Sequence, residues 1–459
     1  MTAMQAGVRQ TRSDSGAHGP ELVLPARTAK AMARAQNAAE LSSPCRIAVV
    51  GFGTVGSAVA RLLQARRDRL FRLTDVCNRN VARKRVSSMS PDVIWTEDMQ
   101  QVLDSDADVL VELMGGLEPA HKLVSEALRS GKAVVTANKQ LIAHSGPELL
   151  QLARNQGRYL GFGACVAGGV PVLSGLQHGL AGDRLVQIRG ILNGTCNFIL
   201  SRIEEAGSSF ADVLCEAQKA GFAEADPSFD VDGQDAGAKL AILARFGLKV
   251  NANPDQVVCQ SIREISAVDF AYARELNCTI RQIALSHLRD SQIYLGVGPS
   301  LVSRLSSLSR VTGSQNLVVS TGEFGGETTF GGYGAGGDPT AVAVLSDLVQ
   351  AANQRNKQLV GLDCPPVVDC ELMTDFASPR YIRFVVRDRP GIIASLAAAL
   401  AKHSLNIDAI LQKPGYEKSA LPFVMTLESC GQRALGAALR EISKLEFLVE
   451  PPFAMPIVE

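Results

Sequence analysis

Residues Gly221 to Leu240 gather the side chains best suited to chemistry. Five carboxylates, Glu224, Asp226, Asp230, Asp232 and Asp235, fall in a turn-rich run that opens a helix. On that helix Asp235 and Lys239 stand four residues apart, so they share a face and can pair. The carboxylate orients the ammonium and raises its pKa, while burial lowers it. A solvated salt bridge is the ordinary fate of such a pair. Two features favour a functional one. The helix continues as Leu240-Ala241-Ile242-Leu243-Ala244, which predicts burial, and acids crowd the preceding residues with few basic partners. Such a pair permits proton exchange at a small alcohol or aldehyde.

The elements that must position it start with a nucleotide site. Arg46-Ile47-Ala48-Val49-Val50 predicts a short apolar strand, followed by Gly51-Phe52-Gly53-Thr54-Val55-Gly56 and a helix over 57–64. A lone GxGxxG says little, but here it has the strand before and the helix after that its mechanism requires. Gly51 makes the tight turn, Gly53 admits a pyrophosphate to the backbone, and Gly56 lets helix and strand pack closely. The pyrophosphate then meets free N–H groups at a helix N-terminus. Near the end of the second strand an acid would favour NAD, and an arginine the 2′-phosphate of NADP. Asp75 falls inside that strand, while Asn78 and Arg79 follow it, with Arg83, Lys84 and Arg85 behind. NADP held by Arg79, with some use of NAD, is the expectation. Two further strands, 108–114 and 133–135, end in Gly115-Gly116 and Thr136-Ala137-Asn138-Lys139, at the edge of an open α/β sheet where ligands bind.

The run G-[FY]-x-E-x-D-P-x-x-D-x-x-G-x-D-x-x-x-K at Gly221–Lys239 resembles the signature of homoserine dehydrogenases, and the resemblance extends from about Cys45 to Leu348. It implies that Asp235 and Lys239 lie at the reacting centre and that Glu224 binds the substrate amino group, with Asp230 and Gly194 also on the substrate. It implies that Lys139 lies between nicotinamide and substrate, although a surface lysine at a helix start is the commoner fate. Thr136, Asn138, Gly115 and Gly336 are expected on the cofactor. Val166-Ala167-Gly168-Gly169-Val170-Pro171 resembles a family loop whose backbone carbonyls, here Gly163, Val166, Gly168 and Val170, hold a monovalent cation (Na⁺ or K⁺) in some members. Most relatives carry a glutamate where this chain has Gly163, so that side chain's role is lost; a purely structural Gly-Pro turn is the alternative. Asn193, Gly194 and Thr195 offer amide, backbone and hydroxyl groups at a strand-to-helix turn. Cys196 has no nearby histidine and reads as structural.

Composition agrees with such an enzyme. The 459 residues allow two or three domains, and 46 basic residues balance 46 acidic ones, which gives no case for nucleic acid or an anionic membrane as partner. Ten scattered cysteines predict reduced thiols in a cytoplasmic protein. Residues 1–43 lack apolar periodicity and predict a disordered extension, though a transit peptide or an upstream start would look similar.

The expected fold is α/β. A Rossmann-like doubly wound parallel sheet spans 44–150 and is completed by 335–375. An α+β substrate and dimerisation domain with a mixed sheet spans 151–334. The loop Gly331 to Thr340 returns the chain to the cofactor ahead of a helix over 341–348, and residues 351–379 read as a linker. Residues 380–455 predict strands and helices in the order of a ferredoxin-like βαββαβ unit, and Asp388-Arg389-Pro390-Gly391 resembles the turn of an ACT domain. That resemblance implies an amino-acid effector held at the turn, with Asn406 or Asp408 meeting it across a paired copy.

The whole implies NAD(P)-linked interconversion of L-homoserine and L-aspartate 4-semialdehyde, in threonine, methionine and isoleucine synthesis. Threonine is the expected effector, and a homodimer or homotetramer the expected assembly. Another Rossmann oxidoreductase acting on an amino-acid carbonyl, or an inactive amino-acid sensor, remains open. Aspartate-semialdehyde dehydrogenase would need an activated cysteine with a histidine partner.

Overall fold

A computed structural model describes residues 43–86, 89–355 and 367–458. The extension expected over 1–43 lies outside them, apart from Ser43.

The first unit is a parallel sheet of β1 (Cys45–Val50), β2 (Phe71–Cys77), β3 (Ile94–Thr96), β4 (Val109–Glu112), β5 (Ala133–Thr136) and β6 (Leu160–Gly161), in the order β3-β2-β1-β4-β5-β6. That order reverses between β1 and β4, which makes their C-terminal ends the ligand crevice of a doubly wound fold. Helices α1 (Thr54–Ala65) and α2 (Lys139–Asn155) start there. The central strands β1, β4 and β5 are mostly apolar and buried because both faces are covered. Ile47, Val49, Val109 and Val111 pack with Ala58 and Val59 of α1, while Ala48, Val50, Leu110 and Val134 pack with Leu141 and Ile142 of α2. The sheet runs past the expected boundary at residue 150, because Leu160 and Gly161 pair with Val134 and Val135.

A second, mixed sheet contains β7 (Leu185–Ile191), β8 (Val258–Cys259), β9 (Cys278–Arg289), β10 (Gln292–Ser303), β11 (Gln315–Gly322) and β12 (Gly326–Tyr333). It carries α3 (Gly194–Ala206), α4 (Ser228–Val231), α5 (Gln234–Leu243) and α6 (Ala267–Glu275). The buried residues Leu240 to Leu243 confirm the expected apolar helix. The chain returns in α7 (Gly337–Gln354), whose Ala341, Val344 and Leu348 join the α1 face of the first sheet. This helix starts at Gly337 rather than 341, so it shortens the glycine loop from its far end. It also occupies the start of the stretch read as a linker.

The rest of that stretch, where it is described, is not free chain. The strand β13 (Glu371–Leu372) pairs with β10, and residues 356–366 lie outside the described residues. The C-terminal unit is βαββαβ as expected: β14 (Ser378–Val386), α8 (Ile392–Lys402), β15 (Ile407–Leu411), β16 (Leu421–Cys430), α9 (Gln432–Ile442) and β17 (Phe453–Val458). It is not a detached module. The strand β17 pairs with β14 on one side and with Leu301 and Val302 of β10 on the other, giving an 11-stranded sheet. Tyr381, Val424, Phe453 and Met455 share a core with Ile199, Phe270 and Ile280. Beside that core, buried Asp269 of α6 accepts from Tyr381 Oη at 2.9 Å and pairs with Arg383.

Candidate active site

The nucleotide loop has the geometry its glycines predict. Gly51 has φ +100°, and a Cβ there would meet the Leu113 backbone at 2.7 Å; a Cβ at Gly56 would collide with the Gly51 carbonyl. At Gly53 nothing lies within 4 Å, so the N-terminus of α1 is open to a phosphate. Phe52 N–H donates to Asn78 Oδ1 at 3.1 Å, which ties the loop to the end of β2. The start of α7 stands against this turn: a Cβ at Gly337 would lie 3.2 Å from Thr54, and Arg61 of α1 pairs with Asp338. Two helix N-termini therefore converge, with Val55 on one and Gly336 beside the other. Asp75 is buried inside β2, and Arg79 is exposed just past its end.

The expected Thr136, Asn138 and Gly115 are held by a carboxylate that sequence reasoning missed. Buried Glu112 accepts from Thr136 Oγ1 at 2.6 Å, Met114 N–H at 2.8 Å and Gly115 N–H at 3.3 Å. Burial pushes its pKa up, and these bonds only partly offset that. Asn138 donates to the Gly116 carbonyl at 2.6 Å and caps α2 through Leu141 N–H at 3.2 Å. The network fixes Lys139 as the first residue of α2.

From there Lys139 reaches the second domain. Its ammonium pairs with Asp235 Oδ1, and Lys239 Nζ lies 2.7 Å from Asp235 Oδ2. One buried carboxylate thus sits between two ammonium groups. Burial alone would raise the pKa of Asp235, but Lys239 and Lys139 override it and hold the carboxylate far below its usual range. Burial lowers Lys139, yet the charge of Asp235 wins and raises it. Lys239 also donates to the Leu192 carbonyl at 2.8 Å, which accepts from Asn316 Nδ2 at 3.0 Å as well.

Asn193 completes the cluster. Its Nδ2 donates to Asp230 Oδ1 at 2.7 Å and to Asp235 Oδ2 at 2.9 Å, while its Oδ1 caps α3 by accepting from Cys196 N–H at 2.8 Å. Asp230 has its pKa raised, first by burial and then by neighbouring Asp235, with the Asn193 bond opposing. Gly194 opens α3 at the same turn. Cys196 is buried in the core beneath, where burial pushes its thiol well above the usual range.

Glu224 is not drawn into this cluster. Its side chain is exposed in the segment before α4, and no hydrogen bond or ion pair among the described residues reaches its carboxylate. Nothing in the sequence marks Asn316, which arrives from β11.

The loop at Gly163, Val166, Gly168 and Val170 meets a carboxylate from elsewhere in the chain. Asp347 of α7 accepts from Gly163 N–H at 2.8 Å and from Tyr159 Oη at 3.4 Å. A Cβ at Gly163 would stand 3.3 Å from both of its carboxylate oxygens, so Asp347 occupies the space a longer side chain would enter. Burial pushes the Asp347 carboxyl up to about 7.

Comparisons with known proteins cover the whole of this arrangement. The family described as "Homoserine dehydrogenase, NAD binding domain" matches residues 51–162, "Homoserine dehydrogenase" matches 171–349, and "ACT domain" matches 380–447. A homoserine dehydrogenase of Synechocystis is 37% identical over 430 residues, covering 90% of this chain and 99% of its own. The chain belongs to the homoserine dehydrogenase family. It is therefore an NAD(P)-dependent oxidoreductase that interconverts L-homoserine and L-aspartate 4-semialdehyde. Among solved structures, the homoserine dehydrogenase of Thiobacillus denitrificans superposes with TM-score 0.84 at 31% identity, over 91% of this chain and 98% of that one. A hyperthermophilic archaeal homoserine dehydrogenase, solved with NADPH, has TM-score 0.59 at 27% identity and covers 69% of this chain and 100% of its own.

Proposed function

We propose that Lys239 exchanges the proton at the substrate oxygen, with Asp235 orienting it and Lys139 assisting. The observation that carries this is a count of donors. An ammonium has three N–H groups; Asp235 and the Leu192 carbonyl take two of those on Lys239, which leaves one for a ligand oxygen. In the direction of aldehyde reduction that N–H donates to the forming alkoxide; in alcohol oxidation the neutral amine accepts the hydroxyl proton. Lys139, on the opposite oxygen of Asp235, adds positive charge where negative charge develops. The nicotinamide dinucleotide, when bound, takes up or delivers the hydride. Asp230, Gly194 and the unengaged Glu224 carboxylate bind the amino-acid end.

NADP is the preferred cofactor on this reading, because β2 ends without a carboxylate and Arg79 stands exposed beside Asn78. A monovalent cation binds the carbonyls of Gly163, Val166, Gly168 and Val170, with Asp347 supplying the negative charge that a glutamate at position 163 would bring. Threonine binds at the Asp388–Gly391 turn, where Gly391 precedes α8 with φ +90°. Asn406 and Asp408 follow the far end of α8 from that turn, exposed and bonded within their own module to Glu428 at 3.1 Å and Thr426 at 2.9 Å, and would meet the effector from a paired copy. The protein works in the cytoplasm as a homodimer or homotetramer. Among the described residues no helix is long and apolar enough to cross a membrane.

The test is homoserine oxidation followed with NADP and NAD in parallel, on the wild type and on Arg79→Ala. Faster turnover with NADP, and a variant that weakens NADP far more than NAD, support the assignment. Equal weakening of both removes Arg79 from the 2′-phosphate. Calorimetry with threonine on the full-length protein tests the effector, and absence of binding in the millimolar range overturns it.

A further inference from the structure

Asn193 sits where the chain turns from β7 into α3, and its amide is fully committed. Its Oδ1 accepts from Cys196 N–H at 2.8 Å, which orients the group. Both hydrogens of Nδ2 then face carboxylates, Asp230 Oδ1 at 2.7 Å and Asp235 Oδ2 at 2.9 Å. A cap alone needs one oxygen, which Ser, Thr or Asp supplies as well. Among these capping residues only asparagine adds two donors aimed at carboxylates; an aspartate would set a third carboxylate against two. The turn itself is wedged. A Cβ at Gly194 would stand 2.9 Å from the Ser314 carbonyl oxygen, and one turn along α3 buried Asn197 donates to the Val311 and Gly313 carbonyls at 3.2 and 2.9 Å. Helix α3 is thereby pinned to the segment before β11, and Asn193 with it.

The two carboxylates depend on this amide unequally. Asp235 has Lys239 and Lys139 as well. For the half-buried Asp230 carboxylate, Asn193 is the one hydrogen-bond donor among the described residues. The groups facing Asp230 pull in both directions: burial and the charge of Asp235 on α5 disfavour its ionised form, while Lys239 of α5 and Lys139 of α2 favour it. The Cys196 thiol of α3 donates to the Asp230 carbonyl at 3.2 Å and stays protonated. We propose that Asn193 is a positioning residue that keeps Asp230 charged and aimed at the ammonium group of the amino-acid substrate. The inference rests on the reading of Asp230 as a substrate-binding group. Without the amide, a carboxylate removed from water takes up a proton more readily, and a neutral carboxyl holds an ammonium poorly. The effect falls on KM and on the acid side of the pH profile, not on hydride transfer.

The test is reduction of L-aspartate 4-semialdehyde by the full-length enzyme, followed from about pH 5 to about pH 9. In this direction Lys239 gives up its proton, so its titration limits the basic side of the profile. Asp235 stays ionised, and the substrate's own titrations are common to every variant. Asn193→Ser keeps a capping oxygen but is too short to reach either carboxylate. Losing a hydrogen bond to a charged group should move the acid limb of kcat/KM up by about one pH unit, so that KM rises about tenfold on the acid side while kcat falls far less. Asn193→Thr should do the same. Asp230→Asn is the reference: it should raise KM, and Asn193→Ser added to it should cost nothing more. An unmoved acid limb overturns the proposal, as does a fall in kcat at unchanged KM, or an equal effect of Asn193→Ser with and without Asp230. Failure of both Asn193 variants to fold also overturns it and makes Asn193 part of the scaffold. If Asp230→Asn itself leaves KM unchanged, the substrate-binding reading of Asp230 fails, and this inference with it.

Discussion

Asp235 and Asp347 are both buried, at 2% and 8% exposure, yet they titrate in opposite directions. Burial raises the pKa of each carboxyl. At Asp235 two ammonium groups and an amide reverse that effect, and the carboxylate stays charged far below its usual range. At Asp347 a backbone N–H and a phenol offset it only in part, and the group rises to about 7. Burial fixes how much compensation a charge needs; the neighbours decide whether it arrives. The first site is therefore preorganised, with its charges in place before any substrate enters. The second holds a charge only conditionally, and an incoming cation would complete it.

The largest effect should come from removing a partner at the complete site. Lys239→Ala deletes the N–H proposed to exchange the substrate proton, and loss of such a group costs about 10²–10⁴-fold in turnover. Dinucleotide binding, measured by fluorescence titration, should survive, because the Gly51–Gly56 loop is remote from the change in sequence and belongs to the other sheet. Turnover near the wild-type rate at neutral pH would reduce Lys239 to a structural partner of Asp235. Asp235→Asn attacks the same site from its centre and leaves two ammonium groups facing each other. Breaking a buried pair in this way costs about 3–5 kcal/mol, to be read from urea unfolding. A loss under about 1 kcal/mol would mean that solvent already screens the cluster.

The contrast between these sites also marks how far the sequence could be read. The pair Asp235–Lys239 was legible because four residues on a helix fix its geometry, and Gly51–Gly56 because one turn contains all its parts. Lys139 was legible through its place at the ligand-binding edge of the sheet together with resemblance, but its partner Asp235, in another domain, was not. Asp347 was not legible at all: it meets Gly163 across 184 residues, and the absence of a side chain at 163 signals nothing locally. Asn316, which meets Leu192 across 124 residues, escaped for the same reason. At the level of fold, β1, β4 and β5 followed from apolar runs and turns, but the long strand β9 and the bridging of two sheets by β17 did not. An edge strand carries no mark of a second partner.

Asp347 makes the conditional site testable through pH. Its folded pKa of about 7 lies above the ordinary value of 3.8, so the native state holds this proton more tightly than the unfolded chain. Its contribution to stability is complete below about pH 4 and is lost as pH rises through 7. Asp347→Asn keeps an acceptor for Gly163 N–H and Tyr159 Oη but cannot ionise. The difference in unfolding free energy between variant and wild type should therefore shift in favour of the variant between pH 4.5 and 7.5. Potassium or sodium that occupied the carbonyls of Gly163, Val166, Gly168 and Val170 would hold Asp347 ionised and flatten this trend relative to choline chloride. A difference independent of pH would show that Asp347 is already compensated and that the contrast with Asp235 fails.

The smallest effect belongs to the exchange between positions 163 and 347. A Cβ at Gly163 would lie 3.3 Å from the Asp347 oxygens, so Gly163→Glu would crowd a second carboxylate onto an uncompensated first. Alone it should destabilise the protein. Asp347→Ser removes the competing charge and opens space, and in that background Gly163→Glu should be tolerated. Residues in direct contact commonly couple by about 0.5–3 kcal/mol. Urea unfolding of the four proteins in the cycle should therefore show a favourable coupling in that range. Additivity within about 0.5 kcal/mol would mean that the two positions do not share one site, and that Asp347 does not stand in for a side chain at 163.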